Sequence, residues 1–262
     1  TDESLCAGAA TTAITFTGTA TSYSWVNDTP GIGLAASGTG NIASFTALNS
    51  GTSPVTATIV VTPHYNGCTG ATEDVTITVN PTPVLSSSLT PAAICSGDTF
   101  GYTPTSATGS SSFSWSRALV SGISEAANAS TGNISETLTN TTSTPINVTY
   151  VITTTANSCS NAGQSVVVTV NPTPVLSSSL TPSAICSGAT FSYTPTSGTT
   201  GSSFSWSRAV IAGINGGAGA GPTAGAVSEV LTNSTAATIA VTYVYTTTAN
   251  GCSNGGENVV VN

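Results

Sequence analysis

The chain of 262 residues carries two basic residues against ten acidic ones, a net charge of -8, and only 5% of its residues are charged. So little positive charge excludes a nucleic-acid surface and an anionic-membrane surface, both of which need a basic footprint. No apolar run reaches the length of a membrane span, so membrane insertion is not expected. Polarity must come from Ser, Thr and Asn, which suit strands and turns better than helices.

The dodecamer Asn-Pro-Thr-Pro-Val-Leu-Ser-Ser-Ser-Leu-Thr-Pro at residues 80–91 returns unchanged at residues 171–182. A copied stretch marks the joint of a repeat. It divides the chain into units at residues 1–80, 81–171 and 172–262, each large enough for a modest core. The chain has no methionine, so Thr1 reads as the start of a processed or excised piece. Leu5-Cys6-Ala7-Gly8 aligns with Ile94-Cys95-Ser96-Gly97, which leaves unit 1 without its first strand.

Unit 2 is predicted as follows. Residues 83–89 form a first strand, placed at an edge by its prolines. Residues 96–98 turn, and residues 99–105 carry Phe100 and Tyr102 on one face with period two. After a loop, residues 112–117 put Phe113, Trp115 and Arg117 together. Residues 121–133 read as irregular, and residues 134–140 align Ile134, Glu136 and Leu138. Residues 147–155 point Val148, Tyr150 and Ile152 inward, residues 157–163 turn, and residues 164–170 end the unit. Unit 3 differs at residues 215–225, where glycines suggest a tolerant surface loop. Seven short strands with steady turn signals and no helical period predict an all-β chain: three tandem immunoglobulin-like β-sandwiches in a rod. Trp25, Trp115 and Trp206 are read as core.

Six cysteines fall two per unit, at Cys6 and Cys68, Cys95 and Cys159, Cys186 and Cys252, which indicates disulfides and an oxidising, extracellular setting. The charged residues repeat as well. Arg117 and Glu136 in unit 2 match Arg208 and Glu229 in unit 3, whereas unit 1 has Asn27 in the arginine position and no acid in residues 42–48. Both partners are present or both absent, which predicts two partly buried ion pairs beside the tryptophans.

The runs Cys-Ser-Gly, Phe-x-Tyr-Thr-Pro-Thr, Phe-Ser-Trp-Ser-Arg and Val-Thr-Tyr-Val-(Ile/Tyr)-Thr-Thr-Thr-Ala-Asn-x-Cys resemble the PKD-like immunoglobulin-like repeat of giant surface proteins of Bacteroidota. Units 2 and 3 carry the resemblance over their whole length. Unit 1 carries it more loosely, through Cys6, Trp25 and Asn66-Gly67-Cys68. The resemblance implies an extracellular adhesin, stalk or filament exported by the type IX system, in some cases a gliding adhesin.

No catalytic constellation emerges, and the chain is not expected to be an enzyme. Gly251-Cys252-Ser253-Asn254-Gly255 matches a nucleophile elbow in letters only, because it lies between strands in a unit with no histidine. His64 is the sole histidine, and the acidic neighbours Asp2-Glu3 and Glu73-Asp74 form no calcium loop, so no metal or cofactor is implied. Six glycosylation-type triplets begin at Asn27, Asn128, Asn133, Asn140, Asn147 and Asn233, at the rate chance allows in such a composition. The leading expectation is a stiff structural stalk whose partners are further repeats or neighbouring subunits. The alternatives are a module for surface glycans or proteins, or accessory repeats of a secreted hydrolase.

For the disulfides, the simplest pattern closes each unit on itself. Topology favours another. The turn before the second strand and the turn before the last strand fall at opposite ends of a sandwich, separated by a strand of ~17–20 Å. A disulfide needs Cα atoms within about 7 Å. Units stacked with almost no spacer bring the first cysteine of one against the last cysteine of the next. That predicts Cys6 with Cys159 and Cys95 with Cys252, leaving Cys68 and Cys186 for neighbours. From sequence alone, pairing within repeats remains the open alternative.

Overall fold

The computed structural model describes residues 2–221 and 225–262. The described residues are all β apart from one 3-10 turn at Pro30–Ile32. Three separate hydrophobic clusters form, from Trp25 to Val79, from Leu85 to Val170 and from Leu176 to Val261, one inside each repeat. The fold is a tandem of immunoglobulin-like β-sandwiches.

Unit 2 shows the plan. Its larger sheet runs in the order Asn128–Thr131, Ser112–Arg117, Ile146–Ala156, Gln164–Asn171, Ile94–Cys95, with Cys159–Ser160 folded back on Ile146–Ala156. The facing sheet pairs Thr99–Tyr102 with Ile134–Thr137. Alternation decides which side chains meet between the sheets. Phe100 and Tyr102 come from one layer, and Trp115, Val148, Tyr150, Ile152, Val166, Val168 and Val170 from the other, all buried. Each sheet hides one face because its apolar residues repeat with the strand period.

The structure corrects the predicted elements in three places. Residues 83–89 do not form a ladder; Leu85 alone bridges to Ser106, and Ser86 N donates to Thr105 O at 2.8 Å. Prolines at 81, 83 and 91 remove ladder donors, so the segment is held at few points. Residues 121–133 are not wholly irregular, because Asn128–Thr131 pairs antiparallel with Ser112–Arg117. All four of its residues are exposed, so no apolar alternation announced it. The stretch at 215–225 also contains pairing: Ile214–Asn215 joins Thr232–Asn233, and Gly219–Gly221 lies along Trp206–Arg208. Residues 222–224 of that stretch lie outside the described residues. In unit 1 the strand Glu3–Cys6 runs parallel to Glu73–Asn80, as Ile94–Cys95 runs parallel to Gln164–Asn171.

Candidate functional site: the joints and the buried ion pairs

Each joint is built from a tight turn and a parallel strand end. In unit 2 the chain reverses through Asn157 and Ser158, both with positive φ (49° and 63°), and Cys159 follows at once. Unit 3 reverses through Asn250 and Gly251 (51° and 79°) before Cys252, and unit 1 through Asn66 and Gly67 (48° and 80°) before Cys68. Positive φ at both central residues is the twist-matched hairpin turn, and Asn-Gly is the pair that adopts it most readily. The turn therefore fixes a cysteine at the tip of the unit. At the opposite end, Cys6 pairs in register with Asn80, and Cys95 with Asn171, the residues that lead into the next unit.

Stacking the units joins tip to end. Cys6 is bonded to Cys159 and Cys95 to Cys252, with Cα–Cα distances of 5.6 Å in both. Cys159 and Cys252 are buried, while Cys68 and Cys186 are free and exposed. Asn171 Nδ2 also donates across the second joint to Asn250 O at 3.1 Å. Pro81 and Pro172 are buried, so neither joint has a solvated spacer.

The ion pairs lie inside units 2 and 3. Arg117 Nε donates to Glu136 Oε2 at 3.0 Å, with side-chain exposures of 1% and 10%. Its Nη2 donates to Ala126 O at 2.7 Å, which ties down the loop before Asn128–Thr131. Tyr150, opposite Arg117 in the ladder, donates its hydroxyl to Glu136 Oε2 at 2.6 Å, and Asn128 Nδ2 donates to Oε1 at 2.6 Å. Burial pushes the Glu136 carboxyl up, but the bonds from Arg117, Tyr150 and Asn128 together outweigh it and hold it below the usual carboxylate range. Burial, with the Glu136 carboxylate beside it, pushes the Tyr150 phenol well above its ordinary value.

Unit 3 repeats the arrangement with one donor fewer. Arg208 Nε meets Glu229 Oε2 at 3.0 Å, Tyr243 donates to the same oxygen at 2.7 Å, and the glutamate side chain is 24% exposed. Gly219 lies opposite Arg208, where Asn128 lies opposite Arg117. Sequence reading found both charged pairs and missed the tyrosine hydroxyls as their third members. The signal was present, since each tyrosine lies two residues past the valine of Val-Thr-Tyr, in the inward phase.

The remaining candidates have structural places. Trp25, Trp115 and Trp206 are core residues, and Trp206 Nε1 donates to Ala226 O at 3.4 Å. His64 Nε2 lies 2.9 Å from Ser24 Oγ. Gly251 to Gly255 is the hairpin at the second joint, with Cys252 in its disulfide. Asp2 Oδ1 accepts from Thr76 N and Glu3 from Thr12 N, whereas Glu73 and Asp74 are exposed on their strand. Among the described residues no cluster of His, Cys, Asp and Glu has the make-up of a metal site. Asn27 and Asn140 are buried, and Asn140 Nδ2 donates to Thr144 O and Val170 O at 2.8 and 2.9 Å. Asn128, Asn133 and Asn147 are exposed and Asn233 half-buried.

A family model described as PKD-like domain matches residues 92–174 and 183–262, more than half of the chain. No curated protein matches. Among solved structures, a three-Ig fragment of titin, domains I67–I69 in an E-to-A variant, is similar at 15% identity and a TM-score of 0.44, covering 99% of this chain and 94% of that one. Mouse cadherin-23 EC22-24 is similar at 13% identity and a TM-score of 0.33, covering 92% and 84%. Extracellular domains 3-5 of Drosophila OTK are similar at 10% identity and a TM-score of 0.28, covering 99% and 94%.

Proposed function

The chain belongs to the PKD-like domain family, and on that premise we propose that it is a structural segment of a large extracellular bacterial surface protein, a stiff stalk within an adhesin or filament. The observation that supports this reading is the pair of disulfides, each joining one unit to the next instead of closing a unit on itself. A cross-link at each joint, with buried prolines in place of a spacer, restricts bending between sandwiches that ordinary linkers leave mobile. Disulfides are common in oxidising surroundings and rare in the cytosol, which fits a cell-surface location.

Cys186 and Cys68 extend the same logic. Cys186 holds in unit 3 the position of Cys95, and Cys68 holds in unit 1 the position of Cys159. Each is the half of a further joint, to be completed by another repeat or a neighbouring subunit. Export by the type IX system and a place in a gliding adhesin follow from the resemblance to surface proteins of Bacteroidota. The segment itself is read as non-enzymatic and without a cofactor.

Peptide mapping without reductant tests the reading together with small-angle scattering. Linked peptides Cys6/Cys159 and Cys95/Cys252 are expected, and reduction should broaden the distribution of intramolecular distances. A linked Cys95/Cys159 peptide, or scattering curves that reduction leaves unchanged, would refute joint locking.

A further inference from the structure

Unit 2 is spanned from joint to joint by two short covalent segments, and most of its core chain lies on neither. The first segment is residues 159–171. Cys159, at the tip, is bonded to Cys6 of unit 1. Asn171, at the other end, runs directly into Pro172 of unit 3. The second segment is residues 80–95. Asn80 leaves unit 1, and Cys95, in register with Asn171, is bonded to Cys252 of unit 3. Residues 96–158, which carry Phe100, Trp115, Leu138 and Tyr150 of the core, form a loop between the two segments.

The first segment is already nearly straight. Cys159 faces Ala156 and Val170 faces Ile146 within one hairpin. The segment therefore covers, with one residue to spare, the length of the facing strand Ile146–Ala156. A strand rises ~3.3 Å per residue, and a fully stretched chain reaches at most ~3.6 Å per residue. The reserve of length between Cys159 and Asn171 is thus below about 10 Å. Val166, Val168 and Val170 fasten the segment into the core. The second segment is longer for the same span, so it draws tight later.

This geometry governs pulling, as distinct from bending. A sandwich joined to its neighbours through the backbone alone stands in series with the load. When it opens it releases its whole length, ~300 Å for residues 81–171. In unit 2 the load has a shorter way. We propose that residues 159–171, with the Cys6–Cys159 bond, are a tension-bearing strap that carries pulling force from unit 1 to unit 3 past the core of unit 2, so that this unit does not lengthen under load. Residues 80–95, with the Cys95–Cys252 bond, are its slacker companion. The strap deepens the stalk reading and rests on the same joint disulfides, but it adds that force never peels the sheet strands between residues 96 and 158.

The test is single-molecule pulling of the whole disulfide-bonded chain in an optical trap, through non-thiol handles at the exposed positions Ser4 and Thr173. The shortest covalent path between these handles is residues 4–6, the disulfide and residues 159–173, ~60 Å when fully stretched. Along the backbone alone the path is ~600 Å. The parent should show no lengthening step above about 10 Å. The double variant Cys6→Ala, Cys159→Ala keeps the Cys95–Cys252 bond and should open in steps, to a limit about ten-fold longer than the parent's. Reduction of the parent should give the same lengthening. Steps of tens of ångströms in the parent, with both linkages confirmed by peptide mapping, would overturn the strap and leave the stalk reading standing. A double variant and a reduced parent that lengthen no more than the oxidised parent would overturn it as well. Loss of the Cys6/Cys159 linked peptide from the map would refute joint locking itself, and the strap with it.

Discussion

In unit 2 the space beside the central strands is filled by Arg117, Glu136 and Tyr150, a hydrogen-bonded polar set. In unit 1 the same positions carry Asn27, Phe45 and Ile59. Asn27 faces Ile59 as Arg117 faces Tyr150. Phe45 stands two residues before Ala47, which accepts from Gly8 N, as Glu136 stands two before Leu138, which accepts from Gly97 N. Asn27 is buried, and its Nδ2 donates to Leu34 O and Ala35 O at 3.1 and 3.3 Å, so one short amide ties down the loop that a guanidinium ties down in unit 2. The loop carbonyls need a donor, but that donor need not be charged. Once the arginine is absent, the glutamate and tyrosine have no partner to justify their burial, and apolar residues replace them.

The largest effect should come from breaking the polar set one member at a time. Arg117→Ala leaves Glu136 buried without its partner and should cost on the order of 3–5 kcal/mol, measured by hydrogen exchange of unit 2 amides. The triple change Arg117→Asn, Glu136→Phe, Tyr150→Ile installs the unit 1 set and should recover most of that loss, because apolar replacement of a buried pair is often neutral. If the triple variant is as unstable as Arg117→Ala, the two sets are not interchangeable and the comparison fails.

Arg208→Ala should be milder than Arg117→Ala, by roughly 1 kcal/mol or more, because Glu229 is more exposed and lacks the Asn128 bond. Equal losses would show that the extra donor and deeper burial are without effect. A contrast of similar size separates the edge strands. A Cβ on Gly38 would collide with the Trp25 ring, so Gly38→Ala should cost about 1–3 kcal/mol by overpacking. The unit 2 counterpart, Ser130, also lies opposite its tryptophan but is exposed, and Ser130→Ala should stay within ±0.5 kcal/mol. Thermal melts of the two variants decide this.

The smallest effect is that of pH. The bonds from Arg117, Tyr150 and Asn128 outweigh burial and hold the Glu136 carboxyl below the usual carboxylate range in the folded unit. A depressed carboxylate contributes stability that is fully present above the unfolded value and is lost as pH falls through the folded value. Unit 2 should therefore lose protection between about pH 5 and the folded value, and the dependence should flatten in Glu136→Gln. A slope identical in parent and variant would remove Glu136 as its source.

What was legible in the sequence followed periodicity and chemical pairing. The alternation of Val148, Tyr150 and Ile152 located a central strand, and the joint presence or absence of Arg and Glu located the polar set. What was illegible had no period. Asn128–Thr131 is wholly exposed, so its pairing writes nothing into the apolar pattern. The segment at residues 83–89 is attached through the Gln164 side chain, a single bridge and the Val167 amide, and a side-chain acceptor 79 residues away has no local signature.

The two disulfides enclose overlapping stretches, from Cys6 to Cys159 and from Cys95 to Cys252. Every peptide bond between Cys6 and Cys252 therefore lies inside at least one covalent ring. A single proteolytic nick anywhere in that span opens a ring but releases no fragment, and the two halves remain one molecule until they are reduced. At the surface location proposed above, the joints would act as insurance on continuity as well as on direction, and each further repeat bonded through Cys68 or Cys186 would widen the protected span.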